Sequence, residues 1–143
     1  MALIEQRHPA FRNLIRLWRA HSCDGELPRA STLGPDELAD LAGQTVMLTL
    51  DATGEHLVIV ESGSAVDAIY GAAMRGCPAA GLSPERHDAE REARAAIATG
   101  RPLLVEDELA DGNRRRRIAR LYLPLSKDDG SPDGVLCGVV AIA

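Results

Sequence analysis

The run Val135-Leu136-Cys137-Gly138-Val139-Val140-Ala141-Ile142 is the most restrictive feature of this sequence. A strand with one wet face alternates apolar and polar residues, and this run does not. Apolar on both sides, it must be covered on both sides and must lie inside a sheet. The chain therefore needs a sheet with a layer over each face, and its other segments have to provide both layers. At 143 residues it has the length of one domain with a sizeable core.

A glycine joint organises the middle of the chain. Leu57-Val58-Ile59-Val60 is a β-branched run that stops at Ser62-Gly63, after which Val66, Ile69 and Tyr70 recur at helical spacing up to Gly71. A strand thus passes through a glycine into a short amphipathic helix. Before it, residues 45–50 and 56–60 read as strands around Asp51-Ala52-Thr53-Gly54, whose Asp and Gly suit a hairpin connection. Nearer the start, Pro9 suits a first helical turn. Phe11, Leu14, Ile15 and Trp18 then form one apolar stripe, with Arg12, Arg16 and Arg19 on the other side. Asp24-Gly25 closes this helix, and Leu27-Pro28-Arg29 is extended. A second helical signal over residues 32–43 starts around Pro35, carries Leu38 and Leu41, and stops at Gly43.

After the joint, residues 74–82 hold too much Gly and Pro for one regular element. Ser83 reads as the N-cap of a helix running to Thr99, with Ala89, Ala93, Ala96 and Ile97 inward and a Glu90–Arg94 pair outward. Small inner residues bury little apolar area, so this helix is weakly held. Pro102-Leu103-Leu104-Val105 is a third strand, and Asp111-Gly112-Asn113 turns the chain back. In the fourth strand Ala119, Leu121, Leu123 and Leu125 share one face, and Arg114, Arg116, Arg120 and Tyr122 share the other. Residues 127–134 form a polar loop. The order of elements predicts an α+β domain: a five-stranded antiparallel sheet with a helical insert after the second strand. The N-terminal helix packs on the sheet or at a dimer interface. Residues 1–143 make one domain, of which 1–31 are the N-terminal helix and its connection.

Composition narrows the function. A net charge of −5 argues against a nucleic-acid partner, which needs a basic surface to neutralise phosphates. No apolar run approaches the roughly 20 residues of a membrane span, and residues 1–10 lack the apolar region of a signal peptide. Cys23, Cys77 and Cys137 are odd in number and widely spaced, which suits a reducing cytoplasm better than a disulfide framework. Phe11, Trp18, Tyr70 and Tyr122 are the whole aromatic complement, so the core is aliphatic and alanine-rich.

Several motifs in this order resemble the PAS fold, and in particular a group of small, often stand-alone bacterial PAS-like proteins. They are Leu17-Trp18-Arg19 with Leu27-Pro28-Arg29, Pro35 with Leu38, and the Gly63 joint with Tyr70-Gly71 and Gly76. Pro102-Leu103-Leu104 and Arg120-Leu121-Tyr122-Leu123-Pro124-Leu125-Ser126 follow, and the last strand closes the set. The resemblance covers residues 11–142. It implies a sheet whose concave face and insert enclose a small cleft, used to sense a ligand or to dock signalling partners. The strand before Gly63 departs from the pattern: it runs Val58 to Val60 and then Glu61, where such proteins often have an Arg.

The chemistry-bearing residues form no catalytic set. Ser62-Gly63-Ser64 lacks the glycines of a nucleophile elbow, no phosphate-cradling loop is present, and Asp67 and Glu61 are the carboxylates nearest the expected cleft. Cys77 is similar in place to the reactive cysteines of some light-sensing PAS proteins, but its neighbours do not match those motifs and it reads as a small loop residue. His87 shares a side with Arg91 and Arg94. With His8, His21, His56 and the cysteines it makes no metal-ligand spacing, so neither metal nor cofactor is expected. The run Arg114-Arg115-Arg116-Arg117 faces Glu106, Asp107 and Glu108 across the turn, where charge pairing accounts for it and an acidic partner could dock.

The expectation is a cytoplasmic, non-enzymatic sensory domain that binds a small apolar or amphipathic molecule between insert and sheet. Ile69, Tyr70 and Met74 would wall one side, with Leu121, Leu123 and Cys137 from the sheet. The alternative is a ligand-free docking or dimerisation module in signalling. In either, the stripe Phe11, Leu14, Ile15 and Trp18 would make a homodimer interface.

Overall fold

The computed structural model describes residues 2–22, 26–85, 88–126 and 132–142. The strand expected inside the sheet, β5 (Pro132–Ala141), is its central strand. It pairs with β1 (Thr45–Leu50) on one side and β4 (Arg114–Ser126) on the other. Beyond these lie β2 (Leu57–Ser62) and β3 (Leu103–Asp111), so the order is β2-β1-β5-β4-β3, antiparallel throughout. The last strand in sequence fills the middle place because it is apolar on both faces: Val135, Cys137 and Val139 face one core and Leu136 the other.

The N-terminal layer consists of α1 (Ala2–Arg7), a 3-10 turn Pro9–Phe11, and α2 (Arg12–Ala20). Pro9 opens the turn as expected, and α1 is an addition to the sequence reading. The apolar stripe of α2 is spent on the chain's own sheet. Phe11, Leu14, Ile15 and Trp18 are buried against Ala119, Leu121, Leu123, Leu125 and Leu136. Burying each such side chain contributes about 1.5–3 kcal/mol. Trp18 Nε1 also donates to the Pro124 carbonyl at 2.9 Å. Contact is closest at Gly138, where an added Cβ would lie 2.7 Å from Leu14 Cδ2 and 3.0 Å from Phe11 Cε1. The four stripe residues are therefore core within one chain and not a surface offered to a second copy.

The second helical signal resolves into a 3-10 turn Ala30–Thr32, the single helical turn α3 (Pro35–Leu38) and a 3-10 segment Ala39–Gln44. At the joint after β2, a Cβ on Gly63 would lie 2.2 Å from the Ala42 carbonyl oxygen and 2.3 Å from that of Gly43. No side chain can enter there, because backbone cannot give way as a flexible side chain can. Here α4 (Ser64–Tyr70) starts, and it ends at Gly71, whose φ of 73° is left-handed. The insert then runs back along the outer edge of β2, where Ile59 N donates to Cys77 O at 2.9 Å and Gly76 N to Ile59 O at 2.7 Å. That pairing closes part of an otherwise open sheet edge.

The helix expected from Ser83 begins six residues later, as α5 (Ala89–Thr99) after a 3-10 turn Ala79–Leu82. Ser83 still caps it from a distance, its Oγ accepting the Ala89 N–H at 2.8 Å. Ala89, Ala93 and Ala96 face inward as predicted. The Glu90–Arg94 pair does not form, because both side chains hold the β1–β2 hairpin instead: Glu90 accepts the Leu57 N–H at 2.7 Å and Arg94 donates to the Glu55 carbonyl. His87, Cys23, the Asp24-Gly25 helix stop and residues 127–131 of the polar loop lie outside the described residues.

Candidate functional site

The space between sheet and insert centres on Arg120. Strand alternation puts residues 118, 120 and 122 on the face toward the insert, where Ile118 and Tyr122 join the core. Arg120 follows them inward and is fully buried. Its guanidinium is held on every side. Nε donates to Tyr122 Oη at 2.9 Å, and Nη2 to Glu92 Oε1 at 3.0 Å. Nη1 donates to Asp107 Oδ2 and to the Leu82 carbonyl, both at 3.0 Å. The Tyr122 hydroxyl in turn donates to Glu92 at 2.8 Å, and the Tyr70 hydroxyl donates to the Leu82 carbonyl at 2.7 Å. One cation thereby joins β4, β3, α5 and the 3-10 turn of the insert.

Burial alone would draw the Arg120 proton off, but Tyr122, Glu92 and Tyr70 outweigh it and the group is held more basic than a free guanidinium. Burial raises the Tyr122 and Tyr70 phenols and pushes the Cys137 thiol up to about 12. At neutral pH the Arg120 guanidinium is therefore charged, and the two phenols and the Cys137 thiol are neutral. A buried charge stays bound only where it is paired and its hydrogen bonds are satisfied, and Arg120 meets both conditions.

The residues expected to wall the cleft divide between the two faces. Met74 and Cys137 are buried on the insert side, with Ile69, Tyr70 and Cys77 half-buried against them. Leu121 and Leu123 belong to the opposite core beneath α2 and do not face the insert. Their shared face was legible in the alternation, but both sides of β4 are covered and the pattern does not say by what. Glu61 and Asp67 have other work: Glu61 is exposed, 4.0 Å from Arg75, and Asp67 accepts the Met74 N–H at 3.0 Å to fix the turn after α4. The carboxylates of the cleft are Glu92 and Asp107, which the sequence reading passed over. The one signal for them, an Arg between Ile118 and Tyr122, becomes readable only once both faces of the strand are known to be covered.

The arginine run behaves in part as expected. Arg115 pairs with Glu85 at 2.9 Å and Glu108 at 3.2 Å, and Arg117 with Glu106 at 3.5 Å. Glu106 also accepts from His8 and Arg7, and these hydrogen bonds hold its carboxyl below the usual carboxylate range. The Arg116 side chain makes no ion pair or hydrogen bond among the described residues. No group of three His, Cys, Asp or Glu among them is placed to hold a metal, and no helix among them is long and apolar enough to cross a membrane.

Two grooves open beside the sheet, one on each face. One, of about 500 Å³, runs between the 30–43 segment and the start of β1, lined by Leu33, Leu38, Met47 and Leu136 with Glu61 at its rim. The other, of about 420 Å³, lies on the insert side beside the end of β5, lined by Ala65, Ala68 and Ile69 of α4 with Val139 and Arg116.

A sheet ordered β2-β1-β5-β4-β3, with a helical insert after β2 and a helix on the opposite face, defines a class of α+β fold. A scan of family profiles matches the PAS domain over residues 6–140, and the chain belongs to that family. Solved structures agree on the fold. A fungal LOV domain photoreceptor superposes with a TM-score of 0.56 at 18% identity, covering 99% of this chain and 100% of that one. The PAS domain of BvgS from Bordetella pertussis gives 0.54 at 12% identity, covering 74% of this chain and 81% of that one. A light-oxygen-voltage domain studied with a flavin analogue gives 0.54 at 14% identity, with 76% and 83% covered. A search of curated proteins returned no match.

Proposed function

We propose that the chain is a non-enzymatic regulatory PAS module that acts by docking to protein partners and keeps its insert-side interior closed with its own side chains. The burial of Arg120 among Glu92, Asp107, Tyr122 and the Leu82 carbonyl carries this reading. A small molecule entering between insert and sheet would have to part Arg120 from its carboxylates. Leaving such a charge unpaired costs about 3–5 kcal/mol before any contact with the ligand is gained. The network also ties insert, α5 and sheet into one body, which suits a rigid surface more than an interior that opens. Thermal shift and native mass spectrometry with flavin mononucleotide and with palmitate test the reading. No change in melting temperature and no adduct is the expected result. A rise of about 3 °C or more with a co-migrating ligand overturns it.

The 500 Å³ groove supports a second reading, in which a small apolar or amphipathic molecule is sensed on the face opposite the insert. Its walls are apolar and its volume is in the range of small-molecule sites. In that case ligand-induced NMR shifts fall on Leu33, Met47 and Leu136 and spare Tyr70 and Cys137.

A further inference from the structure

The groove of about 500 Å³ beside β1 joins apolar walls to one polar stretch. Its walls are Leu33 and Leu38 from the 30–43 segment, Met47 from β1 and Leu136 from β5. The polar stretch is the joint after β2, where Glu61, Ser62 and Ser64 follow one another around Gly63. Thr45 also lines the groove, but its hydroxyl already donates to the Ala42 carbonyl at 3.1 Å. The Ser62 and Ser64 hydroxyls make no hydrogen bond among the described residues and are free to accept one.

The charge around this groove has one sign. Glu61 is the only ionisable side chain among the described residues of its lining. The 30–43 segment adds exposed Asp36, Glu37 and Asp40 and contains no Lys or Arg, and β1 carries no charge at all. The cations near these carboxylates hold them loosely. Arg75 lies 4.0 Å from Glu61, with side chains 72% and 62% exposed, and His21 lies 3.7 Å from Glu37. A pair so exposed is weak and yields to a better-placed cation. The start of α4 offers an anion little, since this two-turn helix carries Asp67 in its first turn. A carboxylate or phosphate is therefore repelled at the rim, whereas an ammonium finds a carboxylate and two acceptor hydroxyls there.

We propose that the groove binds a small amphipathic amine. Its ammonium sits on Glu61 and donates to the Ser62 and Ser64 hydroxyls, and its apolar body lies against Leu33, Leu38, Met47 and Leu136. The proposal rests on the second reading above and adds the chemical class of the ligand. It leaves the insert side closed around Arg120.

The test is a ¹⁵N NMR titration of the whole chain at neutral pH with three probes of equal length: octylamine, octanol and octanoate. Saturable shifts at Leu33, Met47, Ser62 and Leu136 are expected with octylamine. Octanol should bind about threefold more weakly and octanoate about tenfold more weakly, the range an exposed charge pair commands. Glu61→Gln, at an exposed position, should bring the amine down to the affinity of the alcohol at unchanged melting temperature. Glu55→Gln, in the β1–β2 hairpin turn, should leave the order of the three probes intact. Shifts confined to another surface, octanoate binding as well as octylamine, or an unchanged amine affinity in Glu61→Gln would overturn the proposal. The two readings fail separately. Octanol and octylamine binding alike in the groove removes only the amine, whereas silence of all three probes at millimolar concentration removes the groove reading with it.

Discussion

On the face toward the N-terminal helices, Phe11, Leu14, Ile15 and Trp18 meet Leu121, Leu123, Leu125 and Leu136 in a core that contains no charge. On the face toward the insert, the alanines of α5 meet Val135, Val139 and Tyr122 around a fully buried arginine. The two layers share one sheet and differ in what holds them. The first gains stability from apolar area, which is insensitive to pH and lost in proportion to the atoms removed. The second has little area to gain, because alanine buries few atoms, and closes instead through hydrogen bonds and charge pairs that have to be complete. Such a network is worth most when whole and is costly when half made. A PAS domain with this division has a firm helical face and an insert whose position depends on a few polar contacts.

The largest difference between the layers should appear in alkali. Tyr122, Tyr70 and Cys137 all lie on the insert side, and burial raises all three in the folded chain. The unfolded chain therefore releases these protons first. Stability is full below the ordinary thiol range and falls as pH rises through the thiol and phenol ranges, each group adding about 1.4 kcal/mol per pH unit. Urea melts from pH 8 to 11 should show this fall, and Tyr122→Phe with Cys137→Ala should flatten it. An unchanged slope in the double variant would place the loss elsewhere.

Next in size is Arg120→Met, which strands Glu92 and Asp107 and should cost about 3–5 kcal/mol. Adding Glu92→Met should recover part of that loss, since two well-packed apolar side chains then replace a pair. If the double variant is no better than the single, the network adds nothing beyond packing. Leu14→Ala removes apolar atoms from the other layer and should cost about 2–5 kcal/mol with no change in the alkaline slope. Coupling between Leu14→Ala and Arg120→Met beyond about 0.5 kcal/mol would mean that the faces are not independent. The smallest effect belongs to Trp18→Phe, which loses the hydrogen bond to Pro124 and should cost about 1 kcal/mol beyond the smaller ring's packing.

The parts of the fold that were legible are those where one residue type excludes all but one arrangement. An unalternating apolar strand has to be central, and β5 is. A glycine between strand and helix marks close backbone approach, and no Cβ fits at Gly63. The α2 stripe was read as apolar, but whether it covered its own sheet or another chain needed the sheet in place, and Gly138 provides the gap into which Phe11 and Leu14 pack. Ser83 was recognised as a cap although its helix starts six residues on, because a cap is a local signal and the intervening loop is not. The heart of the candidate site was not legible. Arg120 reads as a surface residue in any alternating strand, and its partners Glu92 and Asp107 lie 28 and 13 residues away.

By itself the sequence determined the class of fold, the central place of its last strand and the joint at Gly63, because periodicity, β-branching and the lack of a Cβ act over a few neighbouring residues. Tertiary structure alone decided which face of β4 meets the insert, what fills the space there, and which charge stands at the rim of the groove beside β1. Those outcomes depend on pairing between distant segments: a charge is buried only when its counter-charges arrive from other elements, and a groove takes its charge from whichever segments meet around it.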